Sequence, residues 1–593
     1  MEYLWQLPHS CTPKWLSKTS VELRVWAPHA ERVEVELGCG KIVAMSQETQ
    51  TPDFHNLTLK GIKPGSQYRF LIHSSWNDCY EEEGEVLVRR DPWAYETDFN
   101  SAWCSLIAPQ NKKKSFSPPT PSSWVMYELH PGSFIPHEGS GSVLSKLRKK
   151  LSYIEELGYN AIQLMPLTEF GGLWGYNPRQ LMSVHGKYGT CKELHQLIDE
   201  AHQRGIAICL DIVLNHGSSK LNSLWNYDGY GPHSNGGIYF EGEVDTPWGR
   251  RFAFHKNEVK DYLKGACRMW IEDYHIDALR FDSVHNMPWW LLQEMSYEIR
   301  SHYPEVYLIA EITPENPAVI TDAGFDSCWI HSSHFDMKKI MKKYDGGENS
   351  DKCLRMLKSM IGLHSGFPNS KSAINSILGS HDQCGDRKNG HEDGGVHRHA
   401  VARFGGRHNW HGRAQVRMWY SLQCVSRALP MVFMGTENLQ DGWWHIDEHH
   451  CFDWNLAQGN DSHAPHMQSL VKKIHALRTG QGAFQSEDLR IVHQDASAKV
   501  IAFMRWQEGS PEQGAYLCIL HYGEEEWLNG DYRIYTDWGS QTQWQEEFNS
   551  QRPEFGGYEE ACNQGVLSSD EESAIHLTLP KWSLIILKKL EST

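Results

Sequence analysis

No stretch of about eighteen apolar residues occurs in the chain, so no segment is long enough to cross a membrane as a helix. Basic residues are in short supply, 57 Lys and Arg against 74 Asp and Glu, for a formal net charge of -17. That balance leaves no cationic surplus to displace counterions from a polyanion, which argues against nucleic acid as a partner. The first residues, MEYLWQLPHSCTPKW, lack the basic start and apolar stretch of a secretory signal, and they are not Arg- and Ser-rich like a transit peptide. None of the fourteen cysteines pairs as C-x-x-C, and several, such as Cys209 and Cys518, sit inside apolar runs as reduced core thiols do. These absences together predict a protein of a reducing compartment, the cytoplasm. No Gly-rich phosphate fingerprint follows an apolar strand, which weighs against a doubly wound dinucleotide-binding sheet.

Aromatic surface, by contrast, is plentiful: 24 Trp and 24 Tyr. Flat rings that bury area at low entropy cost suit sugars, with their apolar faces and polar edges, although cores also consume such rings. At 593 residues the chain exceeds one hydrophobic core, and its texture changes three times. Residues 1–109 carry short β-branched or alternating runs (VELRVWAP, RVEVELG, YRFLIHS) between turn signals and read as a small β-sandwich. Residues 110–123, within QNKKKSFSPPTPSS, read as a linker, with KKK at 112–114 a solvated charge run. Between 124 and 479 compact apolar strands alternate with amphipathic helices, the pattern of a parallel sheet buried on both faces. Over so long a span this predicts an α/β fold closed as a (β/α)8 barrel. From 480 to 593 the runs LRIVHQD, VIAFMRWQ, AYLCILHY and IHLTLPKWSLIILKKL predict a second β-sandwich.

Catalytic groups in such barrels gather at the C-terminal ends of strands. The third strand run ends in DIVLNH, bringing Asp211, Asn215 and His216; the fourth in ALRFDSVHN, with Arg280 and Asp282 two apart and hence on one side of an extended chain. The fifth ends in LIAEI, where Glu311 leaves a wholly apolar run, and a later one in SILGSHDQ, with His381 and Asp382. One carboxylate at a strand end is usually just solvated; three, two of them beside His or Arg, carry a desolvation penalty that only chemistry explains. Paired carboxyls of this kind cleave glycosidic bonds with retention, one attacking the anomeric carbon and one passing a proton to the leaving oxygen. Arg280 is expected to keep Asp282 ionised. Glu311, behind Leu308, Ile309 and Ala310, is expected to have a raised pKa.

In order, these segments resemble the four signature regions of the α-amylase superfamily of glycoside hydrolases and transglycosylases. The likeness continues outside them, in GYNAIQLMPL, LWGYNP (173–178), KYGT (187–190) and ALPMVFMGTE (428–437). The resemblance implies that Asp282 is the nucleophile, Glu311 the acid/base and Asp382 the stabiliser of the transition state. It further implies that Tyr176 stacks on the sugar and that His216, Arg280 and His381 bind substrate, an α-1,4-glucan. VELRVWAPHAERVEVELG resembles the glucan-binding-like N-terminal sandwich shared by branching enzymes, debranching enzymes and maltooligosyltrehalose trehalohydrolases. DSVHNM is similar to the trehalohydrolase form, whereas AGFDSCW and the segment after VFMGTE resemble branching enzymes. Ile312 and Gln383, each directly after a catalytic carboxylate, depart from the usual acidic or amide residues. The expectation is therefore α-1,4 cleavage with transfer to a 6-hydroxyl, as in 1,4-α-glucan branching enzymes. Trehalohydrolysis, other α-glucan hydrolysis and a non-catalytic glucan-binding scaffold stand as alternatives.

No cofactor and no required metal are expected. HEDGGVHRHA (391–400) and HIDEHH (445–450) lack the paired spacing of a zinc site. Asn215 lies where amylases carry a calcium ligand, but no dense carboxylate loop accompanies it. Trp174, Trp289, Trp443 and Trp444 are candidates for acceptor-groove walls, each with core packing as its alternative. Oligomeric state and chain-length preference are not legible.

Overall fold

The computed structural model describes residues 4–74, 86–108, 116–135, 139–342, 350–385, 397–507, 509, 514–536 and 538–590. The KKK run and the first six residues of the 391–400 segment lie outside them. Eight parallel strands close into a barrel in chain order: β1 Met126–Leu129, β2 Ala161–Leu164, β3 Ala207–Ile212, β4 Ala278–Phe281, β5 Tyr307–Ala310, β6 Ser327–Ile330, β7 Ala373–Asn375 and β8 Leu429–Phe433. Strand β8 pairs with β1 in register, Met126 opposite Met431, which completes the ring.

Helices α1 Val143–Glu156, α2 Cys191–Gln203, α3 Asn257–Arg268 and α4 Trp289–His302 follow β1 to β4. Strand β5 is followed by one helical turn, Ala318–Thr321, and β6 by α5 Ser332–Lys342 and α6 Ser350–Ile361. Helices α7 Trp410–Val425 and α8 Ala464–Gly480 complete the outer layer. The helix boundaries follow local chemistry. Ser142 caps α1 and Thr190 closes a reciprocal capping box with Glu193 on α2, each satisfying amides that a first turn leaves open. Gly158, at φ 82°, takes the left-handed turn that ends α1.

Alternation along the strands sorts side chains into two cores. Met126, Ala161, Cys209, Ala278, Ile309, Trp329, Ile374 and Met431 fill the barrel interior, closed at the lower end by Trp124. A second cluster runs from Trp5 through the helix layer to Ile586, joining the flanking sandwiches to the barrel. Because the interior is packed with side chains, it is no pore, and polar groups have room only at the upper rim.

The N-terminal sandwich stacks a sheet of Lys14–Ser17, Ser20–Trp26, Phe54–Lys60 and Ser46–Gln47 against one built on Arg32–Leu37 and Gln67–His73. It is tied to the barrel by polar contacts, among them His29 Nδ1 to Asp228 at 2.8 Å and Tyr95 hydroxyl to Asp273 at 2.7 Å. The connecting residues 116–123 pack down on the barrel: Phe116 stacks on His202 at 4.2 Å, and the Trp124 indole donates to the Pro119 carbonyl at 2.8 Å. In the C-terminal sandwich the run IHLTLPKWSLIILKKL divides at Pro580 into Ala574–Leu579 and Ser583–Lys589, which enter different sheets. Proline cannot donate to a central ladder, so the run breaks there.

Candidate active site

Arg280 is the hub of the upper rim. It lies on β4, fully buried, with its guanidinium 4.2 Å from the Trp329 ring of β6. Its Nη1 donates to both oxygens of Asp211 at 2.7 and 2.8 Å and to Asp282 Oδ1 at 2.9 Å. Its Nη2 pairs with Glu311 Oε2 at 2.8 Å. The terminal nitrogens of one planar cation thus hold Asp282 and Glu311 side by side, which a fork-shaped group can do and a point charge cannot.

Each carboxyl has further donors. Asn215 Nδ2 donates to the main-chain oxygen and Oδ2 of Asp282 at 2.9 and 3.3 Å. The Ser283 amide donates to Glu311 Oε2 at 2.9 Å, and His331 Nε2 stands 3.5 Å from Oε1. Ser283 holds the left-handed φ of 46°, strained for a residue with a side chain; the sharp turn after Asp282 aims that amide at Glu311.

Burial and the Glu311 charge push the Asp282 carboxyl up, to about 7, against the pull of Arg280. Burial acts on Glu311 as well, but Arg280, His331 and the Ser283 amide outweigh it and hold that carboxyl well below the usual range. The two carboxyls therefore titrate as a pair, with one proton shared between them as pH approaches neutrality. Both shifts run opposite to those expected from the sequence. The apolar residues before Glu311 are buried in the fold as anticipated, yet the carboxyl itself meets a cation, and the partner carboxyl expected beside Asp282 stands close enough to raise it.

Asp382 lies on the short helix His381–Cys384 beyond β7, capped by Ser380. His381 Nε2 is 3.6 Å from its Oδ1. His381 is itself pinned by Glu128 of β1, which accepts its main-chain N–H at 2.9 Å and lies 2.6 Å from Nδ1. The Tyr176 ring stacks on His381 with centroids 5.0 Å apart, and its hydroxyl donates to Asp211 Oδ2 at 2.6 Å. His216 has one ring nitrogen against the Asn215 side-chain oxygen and the other 2.9 Å from the Tyr176 carbonyl; burial lowers its pKa to about 4, so the neutral ring donates to one of these two acceptors. The Asn215 side chain is thereby engaged between Asp282 and His216, not turned toward a cation. Among the described residues no cluster of His, Cys, Asp or Glu could hold a metal ion.

Six of the seven predicted residues, Asp282, Glu311, Asp382, Tyr176, His216 and His381, line one cavity of about 590 Å³, with Arg280 beneath. Trp174 also lines it and packs on Trp444 at 4.8 Å, whereas Trp444 is fully buried core. Trp443 stacks on His450, and Trp289 packs half-buried at the start of α4. In the 445–450 loop Asp447 gathers His445 and His450, each at 2.7 Å, and His445 reaches the cavity wall. Sequence reasoning gave no role to Asp211, Glu128, Asn215 or His331, nor to Trp248 and Lys220 on the rim. The available signal was a lone acid inside an apolar strand: Asp211 in IAICLDIV and Glu128 in VMYELH.

Comparison with known proteins bears on the whole chain. "Alpha amylase, catalytic domain" matches residues 128–234, "Carbohydrate-binding module 48 (Isoamylase N-terminal domain)" matches 11–94, and "Alpha amylase, C-terminal all-beta domain" matches 491–589. The chain belongs to the α-amylase family. Its α-amylase-family relatives include a 1,4-alpha-glucan branching enzyme of Bradyrhizobium sp. (strain BTAi1), 24% identical over 95% of this chain and 81% of the relative. A malto-oligosyltrehalose trehalohydrolase of Saccharolobus solfataricus is 27% identical over 57% of this chain and 58% of the relative. Among solved structures, a pullulanase complexed with maltotetraose from Anoxybacillus sp. LM18-11 shares the fold at a TM-score of 0.76 and 17% identity, covering 99% of this chain and 88% of that one. The catalytic-domain match ends before Asp282, so the roles of the carboxylates rest on the site geometry.

Proposed function

We propose that the protein is a 1,4-α-glucan branching enzyme working by double displacement with retention. The observation that carries this mechanism is the seating of Asp282 and Glu311 on the two terminal nitrogens of Arg280, at the floor of a sugar-sized cavity. Ionised Asp282 attacks the anomeric carbon while Glu311 protonates the leaving oxygen. The proton shared by the pair is needed on Glu311, and a glycosidic oxygen placed against Glu311 draws it there by accepting its hydrogen bond. Asp382 holds sugar hydroxyls and opposes the positive charge of the oxocarbenium-like transition state, positioned by the His381–Glu128 pair. In the second step Glu311 takes the proton of a glucan 6-hydroxyl, whose oxygen displaces Asp282 and forms the α-1,6 bond.

Transfer in preference to hydrolysis is supported by relatives named as branching enzymes across nearly the whole chain. Hydrolysis is the second reading, favoured by fold neighbours that are pullulanases with bound maltooligosaccharides; there water takes the place of the 6-hydroxyl. The burial of most described cysteines inside the cores, as reduced thiols are buried, supports a cytoplasmic location. Incubation with amylose separates the readings. Branching removes iodine colour and creates isoamylase-sensitive links with no rise in reducing ends. A rise in reducing ends without new branch points would replace branching by hydrolysis, and release of trehalose from maltooligosyltrehalose would replace it by trehalohydrolysis.

A further inference from the structure

Away from the cleft, a second cavity of about 340 Å³ opens where the C-terminal sandwich meets the barrel. Helices α7 and α8 and the loop 553–557 form its walls, with Trp410, Arg413, Arg417, His463, His466 and Phe555 prominent, and among the described residues no carboxylate lines it. Arg417 is only 2% exposed, yet it pairs with no acid among the described residues. Its Nε donates to the Ser550 carbonyl at 3.0 Å and its Nη2 to the Gln551 side-chain oxygen, both neutral acceptors. A buried guanidinium left on neutral partners is costly, and burial, with Arg413 alongside, lowers its pKa from the ordinary arginine value. Arg413 in turn donates to the main-chain oxygen of Arg407 at 2.8 Å.

The surrounding acids are engaged elsewhere. Arg407 holds Asp461 through two bonds of 2.9 and 2.7 Å, Lys581 holds Glu526 at 2.7 Å, and Glu554 lies 3.9 Å from Arg552. The cavity therefore concentrates uncompensated positive charge, the condition for capturing an anion. It is also larger than a bare oxyanion requires, and one side is aromatic: the half-buried Trp410 ring, with the Arg417 guanidinium 5.9 Å from its centroid. A flat ring beside paired arginines suits a ligand with a sugar face and a charged phosphate end.

We propose that this cavity binds a phosphorylated sugar, its phosphate held by Arg413 and Arg417 and its ring against Trp410, at a site separate from the catalytic cleft. Titration calorimetry of the full chain tests this with glucose 6-phosphate, inorganic phosphate and glucose as separate probes. Glucose 6-phosphate is expected to bind, phosphate more weakly, and glucose without dependence on Arg413. Arg417 also braces the domain junction, so the variants are Arg413→Gln and Trp410→Leu, each checked for an unchanged melting profile. Arg413→Gln is expected to weaken glucose 6-phosphate by about ten-fold or more, the effect of one lost charge-assisted hydrogen bond. Trp410→Leu should weaken the sugar phosphate while leaving inorganic phosphate unchanged, and Asp382→Asn, altered only in the cleft, should bind as the wild type does. The proposal is overturned if glucose 6-phosphate gives no binding heat, if Arg413→Gln leaves its affinity unchanged, if Asp382→Asn abolishes it, or if phosphate and sugar phosphate bind equally well.

Discussion

Replacing Arg280 by lysine keeps the positive charge and removes the fork. In the wild type, Nη1 serves Asp211 and Asp282 at 2.7 to 2.9 Å while Nη2 serves Glu311 at 2.8 Å. A lysine ammonium is one centre, and the contact it keeps most readily is with fully buried Asp211. It then gives up the bond to Glu311 and most of that to Asp282. The hydrogen bond to Asp282 is worth about 1.5–3 kcal/mol and the close ion pair with Glu311 adds to it, so the loss is at least about 1.5–3 kcal/mol, or roughly 10- to 10²-fold or more in rate. Because these bonds align the two reacting carboxyls and do not grip remote glucose units, the loss falls on kcat and little on KM. The charge states move as well. Arg280 lowers both carboxyls, so both pKa values rise in Arg280→Lys. The singly protonated pair is the working form, and loss of its shared proton sets the alkaline limit; the activity profile of the variant therefore shifts to higher pH. Steady-state kinetics on amylose across about pH 4 to 9 measures both effects. A variant with kcat within a few-fold of wild type, or a loss confined to KM, would refute the reasoning.

Tyr176→Phe removes the hydroxyl that donates to Asp211 at 2.6 Å; the lost bond should cost about 1–3 kcal/mol in stability, measured by denaturant midpoint, and lower kcat more than KM. Trp248, 37% exposed on the cavity rim and 6.1 Å from the His216 ring, should act on glucan binding: Trp248→Ala raises KM by about 3- to 10-fold with the melting profile unchanged. In the N-terminal domain, burial raises Asp91 to about 7 from an ordinary 3.8. Its folded pKa exceeds its unfolded one, so the folded state binds more protons between those values. Stability from this group is present at the acid end and falls as pH rises from about 4 to about 7, by up to about 4 kcal/mol. Urea midpoints at about pH 5 and 8 should therefore differ less in Asp91→Asn than in the wild type; equal differences would contradict the assignment.

Strand ends were the most legible feature of the chain. Arg280 on β4, with Asp282 just beyond its end and Glu311 just beyond β5, could be placed because apolar runs mark strands and the two-residue repeat puts Arg280 and Asp282 on one side. Asp382 was placed less directly, since it sits on a separate helical turn several residues past β7. Partnership was not legible. Nothing in VMYELH shows that Glu128 pins His381, because that contact joins β1 to the loop after β7 across 253 positions. The same limit explains the reversed shifts: burial can be read from neighbours in sequence, whereas the balance between the partner carboxyl and the shared guanidinium is set in the closed barrel. Pro580, finally, was visible as a residue yet read as part of one strand run, because the choice between two sheets is made by tertiary packing.

Trapping the covalent intermediate tests the central claim most directly. Glu311→Gln, given an α-glucosyl fluoride whose leaving group needs no acid, forms the glycosyl ester and cannot activate the next acceptor. Denaturation followed by peptide mass spectrometry is expected to find one added glucosyl mass on Asp282, absent when Asp282→Asn is combined with Glu311→Gln. A glucosyl mass on Asp382, Asp211 or any other residue, or an unmodified chain while fluoride is released, would contradict the account.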